Sequence, residues 1–346
     1  MRIYFIRNSI GLFTKIGIQV IVERMCRQDG GIGRHKGLKI PRQLNAVPVR
    51  FRFLAKVFMF SDTHFHFFKM CERTGGDGAE ILSEMAKRAC LFALDIGTES
   101  GDLSARKAAL EKALSLVSGE LQENARRMLY YTAGLWPSPD AIMHRKAMTE
   151  TLEKDIASFS EKIAAIGECG IDRHWNPAAA DGRYESDSDR AMREGECELF
   201  EMQIELAKKL KLPIVVHSRD GFEDTYRCIK KSKYDRGIIH CFSYGIEEAR
   251  AFLDCGWYIS FSGSVTYAKR GKADEVQKLL SYVPSDRILC ETDSPYLAPV
   301  PYRGKTNTPL FVEHVYRYVA KARNLSPEAL SEIVDENCRR LFALEG

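Results

Sequence analysis

From residue 57 onward, short apolar runs alternate with longer stretches whose apolar positions recur at helical spacing. The runs are VFMFSDTH (57–64), CLFALDIG (90–97), LYYTAGL (129–135), IAAIGECG (163–170), PIVVHS (213–218), GIIHCF (237–242), WYISFSG (257–263) and RILCETD (287–293). Their brevity and their β-branched and aromatic content predict strands. Stretches such as ELFEMQIELAKKL (198–210) carry the helical period instead. Apolar strands alternating with helices predict a parallel sheet covered on its faces. Eight such units in roughly 250 residues predict an α/β fold, a (β/α)8 TIM-like barrel. A doubly wound open sheet is the alternative.

Residues 1–58 break the pattern. They show no sustained period and carry 12 Lys/Arg against 2 Asp/Glu, whereas the rest of the chain carries 39 against 45. The predicted plan is therefore a basic extension over 1–56 and one barrel domain over 57–346. The extension reads as a disordered basic arm, as an Arg-rich targeting peptide, or as sequence upstream of the true start. The last reading is the sharpest. Residues 29–53 back-translate into a stretch resembling a leucine transfer-RNA gene, with GIGR (31–34), GLK (37–39) and VRF (49–51) at the D-loop, anticodon and T-arm positions. It puts the start of translation at Met59, and it gives the extension no catalytic role.

Composition then narrows the class. The best apolar run, IGLFTKIGIQVIV (10–22), is too short to span a membrane and contains Lys15. The ten cysteines form no C-x-x-C, and Cys90, Cys241 and Cys290 lie in strand-like runs. They read as free thiols of a reducing cytoplasm rather than as a disulfide framework. The mildly acidic main body gives no bulk-charge signature of a nucleic-acid binder.

The predicted strands end in chemistry. His64 and His66 close the first, Glu168 the fourth, His217 the fifth, His240 the sixth and Asp293 the eighth. Active sites of such barrels lie at the C-terminal strand ends. His-x-His at period two turns both imidazoles to one side, as a metal ion requires. A mixed His/carboxylate set suits Zn²⁺, Mn²⁺ or Co²⁺, while Mg²⁺ favours all-oxygen ligation. His35, His144, His174 and His314 lack this context and read as surface groups.

Five stretches carry a family resemblance: SDTHFHF (61–67), IGECGID (166–172), LPIVVHSRD (212–220), GIIHCFS (237–243) and LCETDSPYLAPVPYRGKTN (289–307). With the closing NCRRLFAL (337–344), they resemble the TatD family of metal-dependent deoxyribonucleases, within the amidohydrolase superfamily. The resemblance implies a divalent-metal hydrolase that cleaves phosphodiester bonds of DNA, on single strands or ends, with no membrane or obligate protein partner. It implies two metal ions (Zn, Mn, Mg or Co): one held by His64, His66 and Asp293, the other by His217 and His240, with Glu168 bridging. Asp293 would face the attacking water. Asp62 would orient an imidazole or serve as a strand-end turn residue, Arg219 would clamp a phosphate or form a surface ion pair, and Arg303 and Lys305 near the rim would contact nucleic-acid backbone or stay solvated. Cys169 and Cys241, beside ligands but of opposite parity, read as packing residues. Two stretches depart from the family: GLWPSP (134–139) puts Trp136 where the family has histidine, and 169–189 is longer and more polar than usual, a solvated insertion or an extra rim loop shaping access. An amide, lactone or ester hydrolase on the same scaffold is the rival function, and a non-catalytic nucleic-acid-binding protein is a second.

Overall fold

In the computed structural model, which describes residues 60–76, 78–176, 187–268 and 270–344, eight parallel strands follow one another around a sheet in chain order. They are β1 (Asp62–Phe65), β2 (Ala93–Asp95), β3 (Leu129–Ala133), β4 (Ile163–Asp172), β5 (Ile214–Arg219), β6 (Gly237–Ile239), β7 (Tyr258–Phe261) and β8 (Ile288–Cys290). Helices fill every interval, so the fold is the (β/α)8 barrel, not the open sheet. The extension 1–56, with His35, and the residues 57–59 of the first run lie outside the described residues. Among the described residues no helix is long and apolar enough to cross a membrane, and the nine described cysteines are free.

The barrel closes just past β8. Phe65 and Ser294 form a parallel bridge. Asp293 N–H donates to the His64 carbonyl at 2.8 Å, and His66 N–H donates to the Ser294 carbonyl at 2.8 Å. Closure and ligand placement are thus one event: the bonds that join first strand to last set two histidines beside an aspartate. β4 runs longest and lies tightest on β5, with Gly170 opposite His217 and Asp172 opposite Arg219. A Cβ on Gly170 would collide with the His217 carbonyl, and one on Gly167 with the Val215 carbonyl. Both glycines have positive φ, and together they let Glu168 project between them.

The outer layer is built from the predicted helical stripe. Leu199, Phe200, Ile204 and Ala207 of the helix Asp187–Leu210 are buried, and this helix packs on β4. Below the rim, Arg106 ties three elements together. Its guanidinium donates to the Asp95 carboxylate at 2.6 Å, to Asp102 at 3.0 Å and to the Thr132 carbonyl at 2.5 Å. Asp95 also receives the Phe67 N–H at 3.0 Å, next to His66. Removing one partner of a buried pair strands the other charge, which typically costs about 3–5 kcal/mol. Arg106→Met should therefore lower stability by about that much in urea unfolding; a loss below about 1 kcal/mol would show that Asp95 tolerates its burial alone.

Candidate metal centre

The strand ends converge as the sequence predicts. His64 sits in β1 and His66 just beyond it, and their Nε2 atoms are 3.3 Å apart. The Nδ1 of His66 donates to the Ile96 carbonyl at 3.3 Å, which leaves its Nε2 lone pair facing inward. Glu168 rises from β4 between two histidine pairs. Its Oε2 lies 3.5 Å from His64 Nε2 and 3.7 Å from His66 Nε2. Its Oε1 lies 3.0 Å from His217 Nδ1 and 3.0 Å from His240 Nε2. Asp293 Oδ1 completes one side, 3.6 Å from His64 Nε2 and 3.5 Å from His66 Nε2. Asp293 adopts φ 56°, a left-handed conformation that costs a non-glycine residue energy and that the barrel closure holds in place.

Two carboxylates outside the expected set hold the imidazoles. Asp172 accepts His217 Nε2–H at 2.7 Å, and Glu291 accepts His240 Nδ1–H at 3.3 Å. Asp172 is itself fixed by the N–H groups of His174 and Trp175, each at 2.9 Å. Glu291 also takes Cys241 N–H at 2.6 Å and the Ser260 hydroxyl at 2.5 Å. Carboxylate–imidazole pairs of this kind fix the tautomer and orientation of metal-ligating histidines. Both had a signal in the sequence: Asp172 shares strand parity with Glu168, and Glu291 lies two before Asp293. The stretch read as an insertion from 169 thus begins as buried β4, and its Asp172 belongs to the site.

The electrostatics match the layout. Burial alone would push the Glu168 carboxyl up, but the facing His240, His217 and His64 imidazoles hold it well below its ordinary range. Burial likewise opposes ionisation of Asp293, and His66, His64 and His240 outweigh it, so its carboxyl is held low. His64, fully buried and stacked on His240 with centroids 3.9 Å apart, is held below its ordinary value by that burial and by His240. Three overlapping sets of donor atoms each fall within 4.8 Å of one another: His64, His66 and Glu168; Glu168, His217 and His240; and His64, His240 and Asp293. Inward imidazole nitrogens, with three rings anchored from behind, fit divalent ions of the zinc and manganese type.

The remaining expectations divide. Asp62 orients backbone, not an imidazole. Its Oδ1 accepts His64 N–H at 3.2 Å and Thr292 N–H at 2.9 Å, and its Oδ2 accepts the Thr292 hydroxyl at 2.6 Å. Sealed at the barrel closure, it takes the donors nearest to it, and burial pushes its carboxyl up to about 8. Arg219 ends β5 with an exposed side chain, and the exposed Arg303 guanidinium lies 4.5 Å over the Tyr267 ring. Among the described residues, neither guanidinium hydrogen-bonds or ion-pairs with the six candidate ligands. Lys305 lies over the Tyr302 ring. Cys169 is buried, and its thiol points to the Val215 carbonyl; Cys241 is half-buried against the Ser262 hydroxyl. His144 and His174 are largely exposed, and His314 is half-buried against the Tyr302 ring. Trp136 sits edge-on to His217 with centroids 5.9 Å apart, and Tyr296 sits 6.0 Å from the His66 ring.

Asp172→Asn tests the role of the rear carboxylate. Loss of such a partner typically costs 10–100-fold in metal affinity. Titration against a competing chelator should show a loss of that size for the ion nearer His217, and unchanged affinity would mean that β5 alone positions the ring.

The family profile described as TatD related DNase matches residues 61–343. An uncharacterized metal-dependent hydrolase, YabD of Bacillus subtilis, is 37% identical over 221 residues, covering 62% of this chain and 78% of that protein. A protein of Rahnella named 3'-5' ssDNA/RNA exonuclease TatD is 35% identical over 219 residues, covering 62% and 76%. In fold, the chain is similar to the crystal structure of the Escherichia coli TatD homolog YJJV, with TM-score 0.64, 24% identity and coverage of 83% of this chain and 98% of that one.

Proposed function

Because the chain belongs to the TatD-related DNase family, a family of metal-dependent hydrolases, we propose that it cleaves phosphodiester bonds of DNA, on single strands or at ends, with a pair of divalent ions. The observation that carries this reading is the split of Glu168, one carboxylate oxygen to His64 and His66, the other to His217 and His240. Two ions in those places would supply an acidified water and a clamp on the attacking and leaving oxygens.

The chain's own residues do the rest. Asp293, held ionised and fixed in its left-handed turn, accepts the proton of the attacking water. Asp172 and Glu291 keep His217 and His240 aimed inward through the reaction. Trp136 and Tyr296 offer rings on either side of the ligands, and unpaired bases stack on such rings. Arg219 and Arg303, exposed on loops and strand ends, take up phosphates of the entering strand. The single-strand preference follows the activity for which the Rahnella relative is named. Free thiols fit a reducing cytoplasm as the place of action.

End-labelled single-stranded DNA, duplex DNA and RNA, each incubated with Mg²⁺, Mn²⁺ or Zn²⁺ and with a chelator, test the substrate. The expected result is stepwise shortening of the single strand that the chelator stops. Intact DNA beside turnover of a lactone or aryl ester would transfer the same centre to the rival hydrolase.

A further inference from the structure

A groove opens beside the metal centre at His66. Its volume is about 370 Å³, and that histidine forms part of its wall. Such a volume falls within the range of small-ligand clefts, roughly 300–1,000 Å³. Phe68 and Lys69 of the helix Phe67–Thr74 line it, with Thr98 past the end of β2. Phe67 is buried in the core, whereas the Phe68 ring next to it is 38% exposed.

The groove holds a cation without a carboxylate partner. Arg106, which also lines it, is answered by Asp95 at 2.6 Å and Asp102 at 3.0 Å. Lys69 Nζ instead donates to the neutral Thr98 hydroxyl at 3.0 Å, and among the described residues Lys69 makes no ion pair. One of its three ammonium donors is used there, and two remain. Lys69 is half-buried, so solvent screens its charge less than that of a fully exposed lysine. Thr98 is a fixed support. Its N–H donates to Asp102 at 2.9 Å, and its carbonyl accepts the Trp136 N–H at 2.9 Å. Glu72 and Glu99 line the groove too, but both are exposed and solvent screens them.

A cation with open donors and an exposed ring, next to a candidate metal ligand, match the two parts of a nucleotide. Phosphate takes the donors, and the face of a base takes the ring. Resting on the phosphodiester reading above, we propose that this groove seats the nucleotide next to the cut, its phosphate on the Lys69 ammonium and its base against the Phe68 ring. The ligand is one nucleotide of an unpaired strand, since a base inside a duplex has both faces stacked. Every base has a π-face, so the seat tolerates any sequence.

The test uses the full chain loaded with Zn²⁺ and a short single-stranded oligonucleotide with phosphorothioate linkages, which resist cleavage. 2-Aminopurine replaces the terminal base at each end in turn, and its fluorescence falls when it stacks on a ring. Binding should quench it at one end. Phe68→Ala should remove that quench, and Phe68→Tyr should keep it. Lys69→Met should weaken binding on the order of 10-fold, as loss of one hydrogen bond from a charged group does. It should also flatten the fall of log affinity with log salt by about 0.7, the share of one phosphate contact on a single strand. Lys69→Arg should restore both, which separates a lost contact from lost folding. On ordinary single-stranded DNA, Phe68→Ala and Lys69→Met should each raise KM on the order of 10-fold with kcat little changed. No quench at either end, a quench that survives Phe68→Ala, or an unchanged salt slope in Lys69→Met would each overturn the proposal. The expected quench and slope beside no cleavage of ordinary DNA would refute the phosphodiester reading and keep the groove. Cleavage with KM unchanged in both variants would refute the groove and keep that reading.

Discussion

Glu168→Gln is expected to abolish turnover and to leave the chain unable to hold two ions together. The carboxylate offers equivalent oxygens to the two histidine pairs, at 3.0 Å to His217 and His240 and at 3.5–3.7 Å to His64 and His66. Glutamine keeps the shape but replaces one oxygen with an NH₂ donor. That donor can satisfy one imidazole pair, and it cannot share an ion with it. The barrel should still close, because its bonds run through Asp293, His64, His66 and Ser294. Loss of a single preorganised charge at a reacting centre costs on the order of 10²–10³-fold in kcat, and loss of the group joining both subsites should cost at least that. Metal analysis of the dialysed variant, beside its kcat on single-stranded DNA, checks both halves. A variant that keeps two ions and its activity would show that Glu168 is not the shared ligand.

Asp293→Asn separates holding from chemistry. Asparagine tolerates the left-handed backbone at this position, so the loop after β8 should persist. His64, His66 and Glu168 remain around the same point, and much of the metal affinity should remain with them. The amide cannot accept the proton of the attacking water at neutral pH, and general-base catalysis is typically worth 10²–10⁴-fold. A kcat lower by about that factor, with KM little changed, is the expected outcome. Activity within about tenfold of wild type would move the proton acceptor elsewhere.

The barrel was legible because eight apolar runs recur with helical stretches between them, and because the chemistry falls at the ends of those runs. The runs overstate the strands: 90–97 shrinks to Ala93–Asp95 and 237–242 to Gly237–Ile239. Apolar rim and core residues continue past the last ladder bond, and periodicity cannot mark where pairing stops. The six candidate ligands stood out as residue types with no place in a core. Asp172 and Glu291 did not, because a carboxylate's partner is set by neighbouring strands: Asp172 reaches His217 only through the β4–β5 register. Asp62 illustrates the converse, since shared parity with His64 placed it correctly and strand closure gave it backbone partners instead.

The proposed function rests on Glu168 joining two ion subsites into a phosphodiester-cleaving centre. Its most direct test is to strip the wild-type chain of metal, add back Mn²⁺ or Zn²⁺ in steps, and measure ions bound per chain and cleavage of end-labelled single-stranded DNA in the same samples. Little cleavage is expected up to one ion per chain, and a steep rise as the second binds. Full activity at one ion, or no cleavage with two ions bound, would contradict it.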